Sequence, residues 1–517
     1  MTSLLPIFRL VRSHCPYLGD NMIRIVLLLA MIGLALVSES LIGRSVSTAA
    51  TINAATCSRA DVQAALDTSE SNGDTSNTIE IPAGTCGWAT TVSKIVTKDL
   101  IMHGAGEAST IIQDDTSGVI LLSVTTATGK SARFTNWTFE GGTNITDNSS
   151  SGTFGIAGTS TLVRVDHMTF RNMAFQIRYL LFVDCAYGLV DHVTMQQARG
   201  ISNGVAAYHR TCGGQDFGHY NFSIATPWNS AQCVFVEDSS FDEQVAARTL
   251  VLSAANDIGF GGCMVVRYNT ISNLFVQNHG VDAFVRGGRH LEAYGNTFQF
   301  LHGYTSSNQA IWFESGTGVA YSNTVPSGWT VATRLLYDRS SISEGSWGIC
   351  NGSSVYDANS GSPAGYFCAD QPGRGQGILY TGISPPLPAS SASQSLEPVY
   401  VWNNGGIVSE TTSQSAHVVI NRDYFESAKP SYTAYTYPHP LQGVSSSNRR
   451  FSPLLNLRRS QVAPASEEAN PYLHYVQRRF SRSLDLRREQ TVVLDELGQP
   501  ILNESDNGSQ TDWIVQE

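Results

Sequence analysis

The chain has 517 residues, a formal net charge of −11 at pH 7 and only 15% charged residues. Its four lysines form no basic stripe, which argues against a nucleic-acid partner. The 46 glycines, together with many Ser, Thr and Asn residues, are typical of a turn-rich all-β protein.

An export signal is predicted near the N-terminus. Arg24 precedes the apolar run 25–37, which has the length of a signal-peptide core and is short for a membrane span of about 20 residues. We expect residues 1–55 to be a signal peptide and leader, with an uncleaved anchor as the alternative. After cleavage the protein would have no membrane span and would be secreted, periplasmic or held at the cell surface.

The nine cysteines of an exported chain indicate disulfide bonds. Proximity along the sequence suggests the pairs Cys57–Cys86, Cys212–Cys233 and Cys350–Cys368. Cys185 and Cys263 lie in strand-like phrases, where we expect buried thiols.

After the leader, residues 59–68 predict a short amphipathic helix, with Val62, Ala65 and Leu66 on one face. The open end of a solenoid exposes strand edges and apolar core. A helix at this place is therefore expected to act as a cap.

One phrase then returns between Val165 and Val325, as VDHMTF, VDHVTM, VEDSSF, VRYNTI, AYGNTF and AYSNTV, in steps of 25, 46, 30, 27 and 27 residues. The step of 46 residues is one long coil or two coils. A period in this range, with alternating apolar residues, predicts stacked coils that bury one another's apolar faces. We predict an all-β, right-handed parallel β-helix over residues 56–443, in which Asn269, Asn296 and Asn323 form a structural ladder.

Three segments do not carry the phrase. Residues 198–232 and 327–397 are predicted to be loop insertions, which in solenoids often build a binding face. Residues 444–517 contain paired arginines and predict a weakly ordered C-terminal tail. The segment KPSYTAYTYPHPLQG, just before this tail, is expected to pack against the last coil.

The opening phrases IEIPAGTCGW, DLIMHGAGE and STIIQDD resemble the start of the pectin-lyase-like superfamily of right-handed β-helices. The phrases FVEDSSF, VVRYNTISN, RGGRHLEAYGNTF and EPVYVWNN resemble a group of secreted bacterial β-helix proteins of uncharacterised activity. The likeness implies the fold, and it says little about the activity. Glu314 and Ser315 depart from that group, which tends to have an Arg before the Gly-Thr-Gly.

The repeat aligns Asp166, Asp191, Glu237 and Arg267 in one outward column. Carboxylates one or two coils apart could serve as a catalytic pair, with Asp191 and Glu237 as candidates, or Asp166, Asp191 and Glu237 could bind calcium. The alternative is a structural ladder closed by Arg267.

The neighbouring column contains His167, His192 and Asp238. It could bind a metal ion, or the histidines could bond to turn backbone. Asp238 also adds a third catalytic candidate beside Asp191 and Glu237.

Further candidates lie in the stretch QNHGVDAFVRGGRHLE, which contains His279, Arg286 and Arg289. The resemblance to β-helix lyases makes Arg286 or Arg289 a candidate base for proton abstraction. The alternative is arginines that bind turn carbonyls and Glu292.

Four rings in or near the insertions are predicted to contact substrate: Tyr208, His209, Trp228 and Trp312. Together these features predict a monomeric exported protein that binds an extracellular polysaccharide and degrades it, by calcium-assisted β-elimination or by two-carboxylate hydrolysis. The alternative is a non-catalytic, adhesive surface solenoid.

Overall fold

The computed structural model describes residues 49–116, 119–142, 152–173, 178–198, 203–209, 212, 221–222, 226–245, 251, 253–280, 287–336, 371–375, 377–378, 396–406, 408–410, 418–443, 476–479 and 489–492. The chain divides into two units, Met1–Ser447 and Asn448–Glu517. In its described part, the first unit is a right-handed parallel β-helix, as the repeat predicts. In the described part of the second unit, β31 (Val476–Arg479) pairs antiparallel with β32 (Glu489–Val492).

The β-helix has three faces, with strands numbered in chain order. The front face consists of β1 (Ala49–Asn53), β2 (Ser76–Ile81), β5 (Asp99–Gly104), β8 (Ala132–Gly141), β10 (Val163–Arg171), β12 (Gly188–Asp191), β16 (Val234–Glu237), β19 (Cys263–Arg267), β22 (His290–Tyr294), β25 (Thr317–Tyr321), β28 (Val399–Trp402) and β30 (Tyr424–Phe425). The second face consists of β3 (Gly84–Trp88), β6 (Thr110–Asp114), the ends of β8 and β10, β13 (Thr194–Gln197), β17 (Ser240–Glu243), β20 (Thr270–Ser272) and β23 (Thr297–Gln299).

The third face begins with β4 (Val92–Val96), β7 (Leu122–Thr126), β9 (Gly152–Gly158), β11 (Arg178–Val183), β14 (Asn203–Tyr208) and β18 (Ala254–Gly259). It continues with β21 (Val276–Asn278), β24 (Ser307–Phe313), β26 (Trp329–Leu335) and β29 (Val408–Glu410). Outside the faces, β15 (Asn221–Phe222) pairs antiparallel with β27 (Gly377–Ile378). Alternate inward residues of the three faces form one continuous apolar core.

The predicted capping helix is confirmed as α1 (Arg59–Ser71), which ends three residues beyond the prediction. The Ser58 hydroxyl accepts a hydrogen bond from the Asp61 N–H and so caps the first turn. Val62, Ala65 and Leu66 are buried against the first coils. Among the described residues no helix is long and apolar enough to cross a membrane, and the predicted signal run 25–37 lies outside them.

Both predicted insertions are too wide, because each contains a strand of the third face. β14 lies within 198–232 and pairs with β11 and β18, while β26 lies within 327–397 and pairs with β24 and β29. The step of 46 residues is therefore one coil with a long connection after β14. The repeated phrase marks the front and second faces only, so it could not reveal third-face strands.

Three disulfides link neighbouring coils: Cys57–Cys86, Cys185–Cys212 and Cys233–Cys263. The first confirms a prediction. The predicted Cys212–Cys233 pair and the predicted thiols at Cys185 and Cys263 are wrong. The two cysteines of each bond lie on neighbouring coils and are therefore 27 to 30 residues apart in the sequence. The predictions paired cysteines by proximity along the chain and so favoured closer partners. The predicted Cys350–Cys368 pair lies outside the described residues.

The predicted asparagine ladder is confirmed and extends to Asn404. Each buried amide oxygen accepts a hydrogen bond from the backbone N–H of the equivalent residue in the preceding coil. The Asn296 oxygen accepts from the Asn269 N–H in this way, and the Asn323 oxygen accepts from the Asn296 N–H. Each amide nitrogen donates to a strand carbonyl, as Asn296 does to Val266 at 2.9 Å. The asparagine ladder supplies hydrogen-bond partners for the buried backbone groups where the front face turns into the second face.

Candidate functional site

Three acidic residues of the front face, which we call the acidic ladder, are Asp166, Asp191 and Glu237. The strand register places them in line, with Arg267 next, as the repeat predicts. Their side chains point away from the core, as the predicted outward column requires, but they do not face solvent. All three are fully buried.

The ladder is covered by residues 429–443 of the same chain, which we call the strap. The strap crosses the front face from β22 back to β10. The Tyr432 hydroxyl bonds Glu292 Oε2 at one end, and the carbonyls of Leu441 and Gln442 accept from Arg164 at the other. Its start packs on one of the last coils, in line with the expectation, since Lys429 lies over the Tyr400 ring of β28. The rest of the strap runs back over earlier coils, where its backbone bonds Glu237 and Arg267.

Asp166 and Asp191 each bind an arginine through both oxygens. Arg133 donates to Asp166 at 2.8 and 2.6 Å, and Arg164 donates to Asp191 at 2.9 and 2.8 Å. Burial alone would raise the pKa of Asp166, but the Arg133 hydrogen bonds and the charge of Arg164 bring this pKa below its ordinary value. Asp166 therefore serves as a buried, ionised acceptor.

Glu237 is held by both the sheet and the strap. Arg267 Nε lies 2.5 Å from Oε2, while the His439 N–H and Gln442 Nε2 donate to Oε1 at 2.8 and 2.9 Å. Burial raises the pKa of Glu237, and the charge of Arg267 opposes that rise. Arg267 also donates to the strap carbonyls of Tyr435 and Thr436, so it ties the two layers together.

Calcium does not fit the acidic ladder. The ion needs several carboxylate and carbonyl oxygens around one point. Here the oxygens of Asp166, Asp191 and Glu237 already accept guanidinium, backbone and amide hydrogens. Within the described residues, no group of three or more His, Cys, Asp or Glu side chains could hold a metal ion.

An apolar cluster, separate from the core, packs the strap against the front face. Its buried members are Leu189, Cys233, Phe235, Cys263, Val265, Tyr294 and Leu441. The strap residue His439 packs against the Phe235 ring at 4.6 Å. Burial, together with the charges of Arg267 and Arg164, lowers the pKa of His439 to about 3. The imidazole is therefore neutral where the strap packs on the sheet.

One residue beyond the ladder column, the chain turns from the front face to the second face. Each turn residue has positive φ, and the row runs Asn136, His167, His192, Asp238, Tyr268, Gly295, Ser322 and Asn403. We call this the corner row. The left-handed conformation suits Asn and Gly, and at Gly295 a side chain would collide with the Tyr268 ring, which a Cβ would approach to 2.6 Å.

Unlike the ladder, the corner row is open to solvent. The side chains of His167 and His192 are 48% and 47% exposed. Their rings stack in parallel with centroids 5.1 Å apart, and each Nδ1 lies 2.8 Å from the carboxylate of the preceding aspartate. The predicted histidine column is therefore real, but its partners are carboxylates rather than backbone.

The row continues with Asp238 and Tyr268, beside the strap residue Tyr437. The Tyr437 hydroxyl donates to Asp238 at 2.7 Å, and Gln442 Nε2 donates to the other oxygen at 2.9 Å. Tyr437 and Tyr268 pack with ring centroids 4.1 Å apart, and both are more than 40% exposed. Imidazole and phenol rings thus stand at three of four consecutive corners, and the strap ring of Tyr437 lies beside the fourth, Asp238.

The described residues of the predicted arginine site are largely buried. Arg289 is buried, and His279 uses its backbone carbonyl to accept from the Ser315 hydroxyl and from the Gly288 N–H. His290 Nε2 lies 3.0 Å from Glu292 Oε1, and both are buried beneath the start of the strap. Arg286 lies outside the described residues.

The four predicted substrate-binding rings do not form one site. Tyr208 bonds Asp257 on the third face, and His209 is buried there, which lowers its pKa to about 3. Trp312 packs on Phe275 in the third face. Trp228 donates to Glu397 and contacts His290 near the start of the strap.

Sequence reasoning missed Arg133, Arg164 and the strap residue Tyr437. The arginines had a signal: each stands two positions before the ladder column, so it shares the outward side of its strand. No sequence signal placed Tyr437 beside Asp238, because the two residues are 199 positions apart.

No protein-family model matches the chain, and no curated protein sequence matches it. Among solved structures, an alginate lyase from Paenibacillus sp. str. FPU-7 is 15% identical, with a TM-score of 0.32, over 53% of this chain and 94% of that chain. The A-module of the Azotobacter vinelandii mannuronan C-5 epimerase AlgE4 is 14% identical, with a TM-score of 0.24, over 51% of this chain and 90% of that one.

A third similar structure is the catalytic domain of a GH87 alpha-1,3-glucanase in complex with nigerose. It is 11% identical, with a TM-score of 0.26, over 76% of this chain and 69% of that chain. Likeness at this level carries no argument about activity, because one fold hosts many functions. The fold assignment rests on the strand register of this chain itself.

Proposed function

We propose that the protein is an exported β-helix that binds an extracellular polysaccharide along the corner row. The observation that carries this proposal is the line of exposed rings at His167, His192 and Tyr268, extended by Tyr437. Neighbouring coils lie about 4.8 Å apart, so the row offers a periodic surface parallel to the solenoid axis.

A linear polymer of sugars is the ligand that matches such a surface. Because His167 stacks on His192 and Tyr268 packs on Tyr437, the row presents ring edges, and its imidazole nitrogens and phenol hydroxyls can bond sugar hydroxyls. The ladder beneath the row is neutralised by Arg133, Arg164 and Arg267. Asp238 is then the one acidic side chain of the row, so the surface opposes an anionic polymer less than the chain's net charge of −11 suggests.

The three disulfides support an oxidising compartment outside the cytosol. A secreted, periplasmic or surface-held location would place the corner row where extracellular polysaccharides occur. The predicted export signal is consistent with the same compartment.

Of the two predicted degradation chemistries, the geometry favours proton abstraction. Two-carboxylate hydrolysis needs a pair of carboxyl groups beside the sugar ring. Asp191 and Glu237 are buried and bound to arginines, whereas His167 and His192 remain accessible. The non-catalytic, adhesive solenoid remains the alternative, since binding along the row does not require turnover.

The test is binding of the exported, full-length mature protein to a panel of neutral and acidic polysaccharides. Tyr268→Ala removes the most central exposed ring of the row, and we expect it to weaken binding about tenfold. Ile95→Ala is the matched control, because Ile95 is 66% exposed on the third face. Equal affinities for both variants, or no binding by the wild type to any polymer, would contradict the proposal.

A further inference from the structure

We infer that Asp238, beside the rings of Tyr437 and Tyr268, is a subsite for a primary ammonium group, and that the polymer on the corner row is a polysaccharide of amino sugars with free amines. This inference rests on the proposed polysaccharide site and narrows its substrate class. It concerns recognition alone and requires no turnover at the row.

The first argument is the balance of charge around the strap. Each acid of the acidic ladder has its own arginine: Arg133 pairs with Asp166, Arg164 with Asp191 and Arg267 with Glu237. Asp238 is a fourth acid in the same region, and its two hydrogen-bond donors, the Tyr437 hydroxyl and Gln442 Nε2, are uncharged. Among the described residues Asp238 has no ion-pair partner, so one negative charge is left at the surface of the row.

The second argument is that the strap holds this carboxylate in place. Tyr437 donates to Oδ1 of Asp238 at 2.7 Å, and Gln442 Nε2 donates to Oδ2 at 2.9 Å. Burial, together with the hydrogen bond to Asp238 and its charge, raises the pKa of Tyr437 to about 12, so the phenol remains a neutral donor. A carboxylate has about four lone-pair sites, so Asp238 can accept further hydrogens from a ligand.

The third argument is the setting of the carboxylate among rings. Tyr268 stands at the next corner of the row, and its ring packs on Tyr437 with centroids 4.1 Å apart. The buried Arg267 guanidinium lies 5.2 Å from the centroid of the Tyr437 ring, on its inner side. Asp238 is itself half-buried beside these rings, and exclusion of water strengthens a charge pair formed there.

An ammonium group fits this subsite better than a metal ion. A calcium ion needs several carboxylate and carbonyl oxygens, whereas the row provides a single carboxylate beside two phenols. A primary ammonium has three donors and can bond carboxylate and phenol oxygens together. At longer range, the net charge of −11 also favours the approach of a cationic polymer.

The turn alone does not require an acid at this corner. The φ of 53° at Asp238 suits Asn as well as Asp, and the same row carries Asn136 and Asn403. Burial raises the pKa of the neighbouring Glu237, and the charge of Asp238 adds to that rise. The acid therefore opposes the ionised form of a buried carboxylate, and a bound cation would offset this cost.

The experiment measures equilibrium binding of the full-length mature protein to oligosaccharides of equal length. The probes are oligomers of glucosamine and of N-acetylglucosamine with the same linkage, a uronate oligomer, and polylysine as an ammonium polymer without sugars. Wild type is compared with Asp238→Asn, which places at this corner a residue that suits the turn. Asp67→Asn is the matched control, because Asp67 is 56% exposed on α1 and its substitution changes the net charge equally.

We expect wild type to bind the glucosamine oligomer about fivefold or more tightly than its N-acetylated form, and this ratio to fall to about twofold or less in Asp238→Asn. Affinity for the N-acetylated form should stay nearly constant, whereas loss of a purely structural residue would weaken both ligands together. The wild-type preference should also shrink as salt is added, a measurement that needs no variant. Asp67→Asn should match wild type.

Equal binding of the two oligomers by wild type, or the same preference in wild type and Asp238→Asn, would overturn the inference. Binding of polylysine but not of the glucosamine oligomer would also overturn it and assign the subsite to a basic peptide. If the neutral or uronate oligomer binds and free amines add nothing, the proposed polysaccharide function stands and the ammonium subsite alone fails. If no oligosaccharide of any charge binds, both fail together.

Discussion

Asp191 and His192 are neighbours in the sequence, yet they belong to two columns with opposite environments. The ladder column is buried, paired with arginines and covered by the strap. The corner column is half exposed and keeps its rings open to solvent. The difference shows that one repeated phrase can supply a structural ion-pair network and a candidate binding surface at adjacent positions.

The largest expected effect is on the buried column. Arg267→Met should lower the free energy of unfolding by about 3 to 5 kcal/mol, because Glu237 would remain buried without its cation. Chemical denaturation measures this loss.

Arg171→Met is the matched control for that variant. Arg171 pairs with Glu140 at 2.8 Å, but both side chains are partly exposed, so the loss should be at most about 1 kcal/mol. Equal losses in the two variants would show that the strap does not isolate the ladder from solvent.

A smaller effect is expected from acid. The folded-state pKa of His439 is about 3, below the ordinary 6.5, so the unfolded chain binds more protons between these values. The contribution of His439 is complete above pH 6.5 and is lost as pH falls, by about 1.4 kcal/mol per pH unit. Proteolysis within the strap should therefore accelerate from pH 7 to pH 5.

His439→Gln tests the source of that acid sensitivity. The variant keeps a neutral acceptor near the Leu441 N–H, and its strap should be cleaved at a rate that depends little on pH. His209, with a pKa also near 3, lies on the third face and affects overall stability in the same direction. If strap cleavage in His439→Gln still accelerates at low pH as in wild type, a group other than His439 causes the acid sensitivity.

The smallest expected effect on stability is in the corner column. His192→Asn should change the free energy of unfolding by no more than about 0.5 kcal/mol, because the side chain is half exposed and Asn suits the turn. A thermal unfolding series for wild type and variant measures it. A loss comparable to that of Arg267→Met would make the histidine a structural residue.

The fold could be predicted from the sequence because each coil repeats the same inward pattern. Val165, Val190 and Val236, for example, occupy equivalent core positions, and the asparagine ladder follows from the same alignment. The alignment also brought Asp166, Asp191 and Glu237 together. Periodicity determines which side of the strand a residue takes, so these predictions needed no distant contacts.

The environment of the site could not be predicted in the same way. Periodicity cannot tell whether an outward column meets water or a distant segment of the chain. The contact of His439 with Glu237 joins residues 202 positions apart. The predicted Cys212–Cys233 pair was wrong for a related reason, because Cys212 and Cys233 each bond a partner on a neighbouring coil rather than the nearest cysteine along the chain.

The central claim is that the ladder column stabilises the fold while the corner column binds the ligand. Its most direct test is the affinity of folded Glu237→Gln and His192→Asn for the best polysaccharide ligand, measured by titration calorimetry. Unfolding curves of the same two variants measure their stability. The account predicts that Glu237→Gln is destabilised but binds within about twofold of wild type, whereas His192→Asn is stable and binds several times more weakly. Unchanged binding by His192→Asn, with binding lost in folded Glu237→Gln, would contradict it and return the site to the acidic ladder.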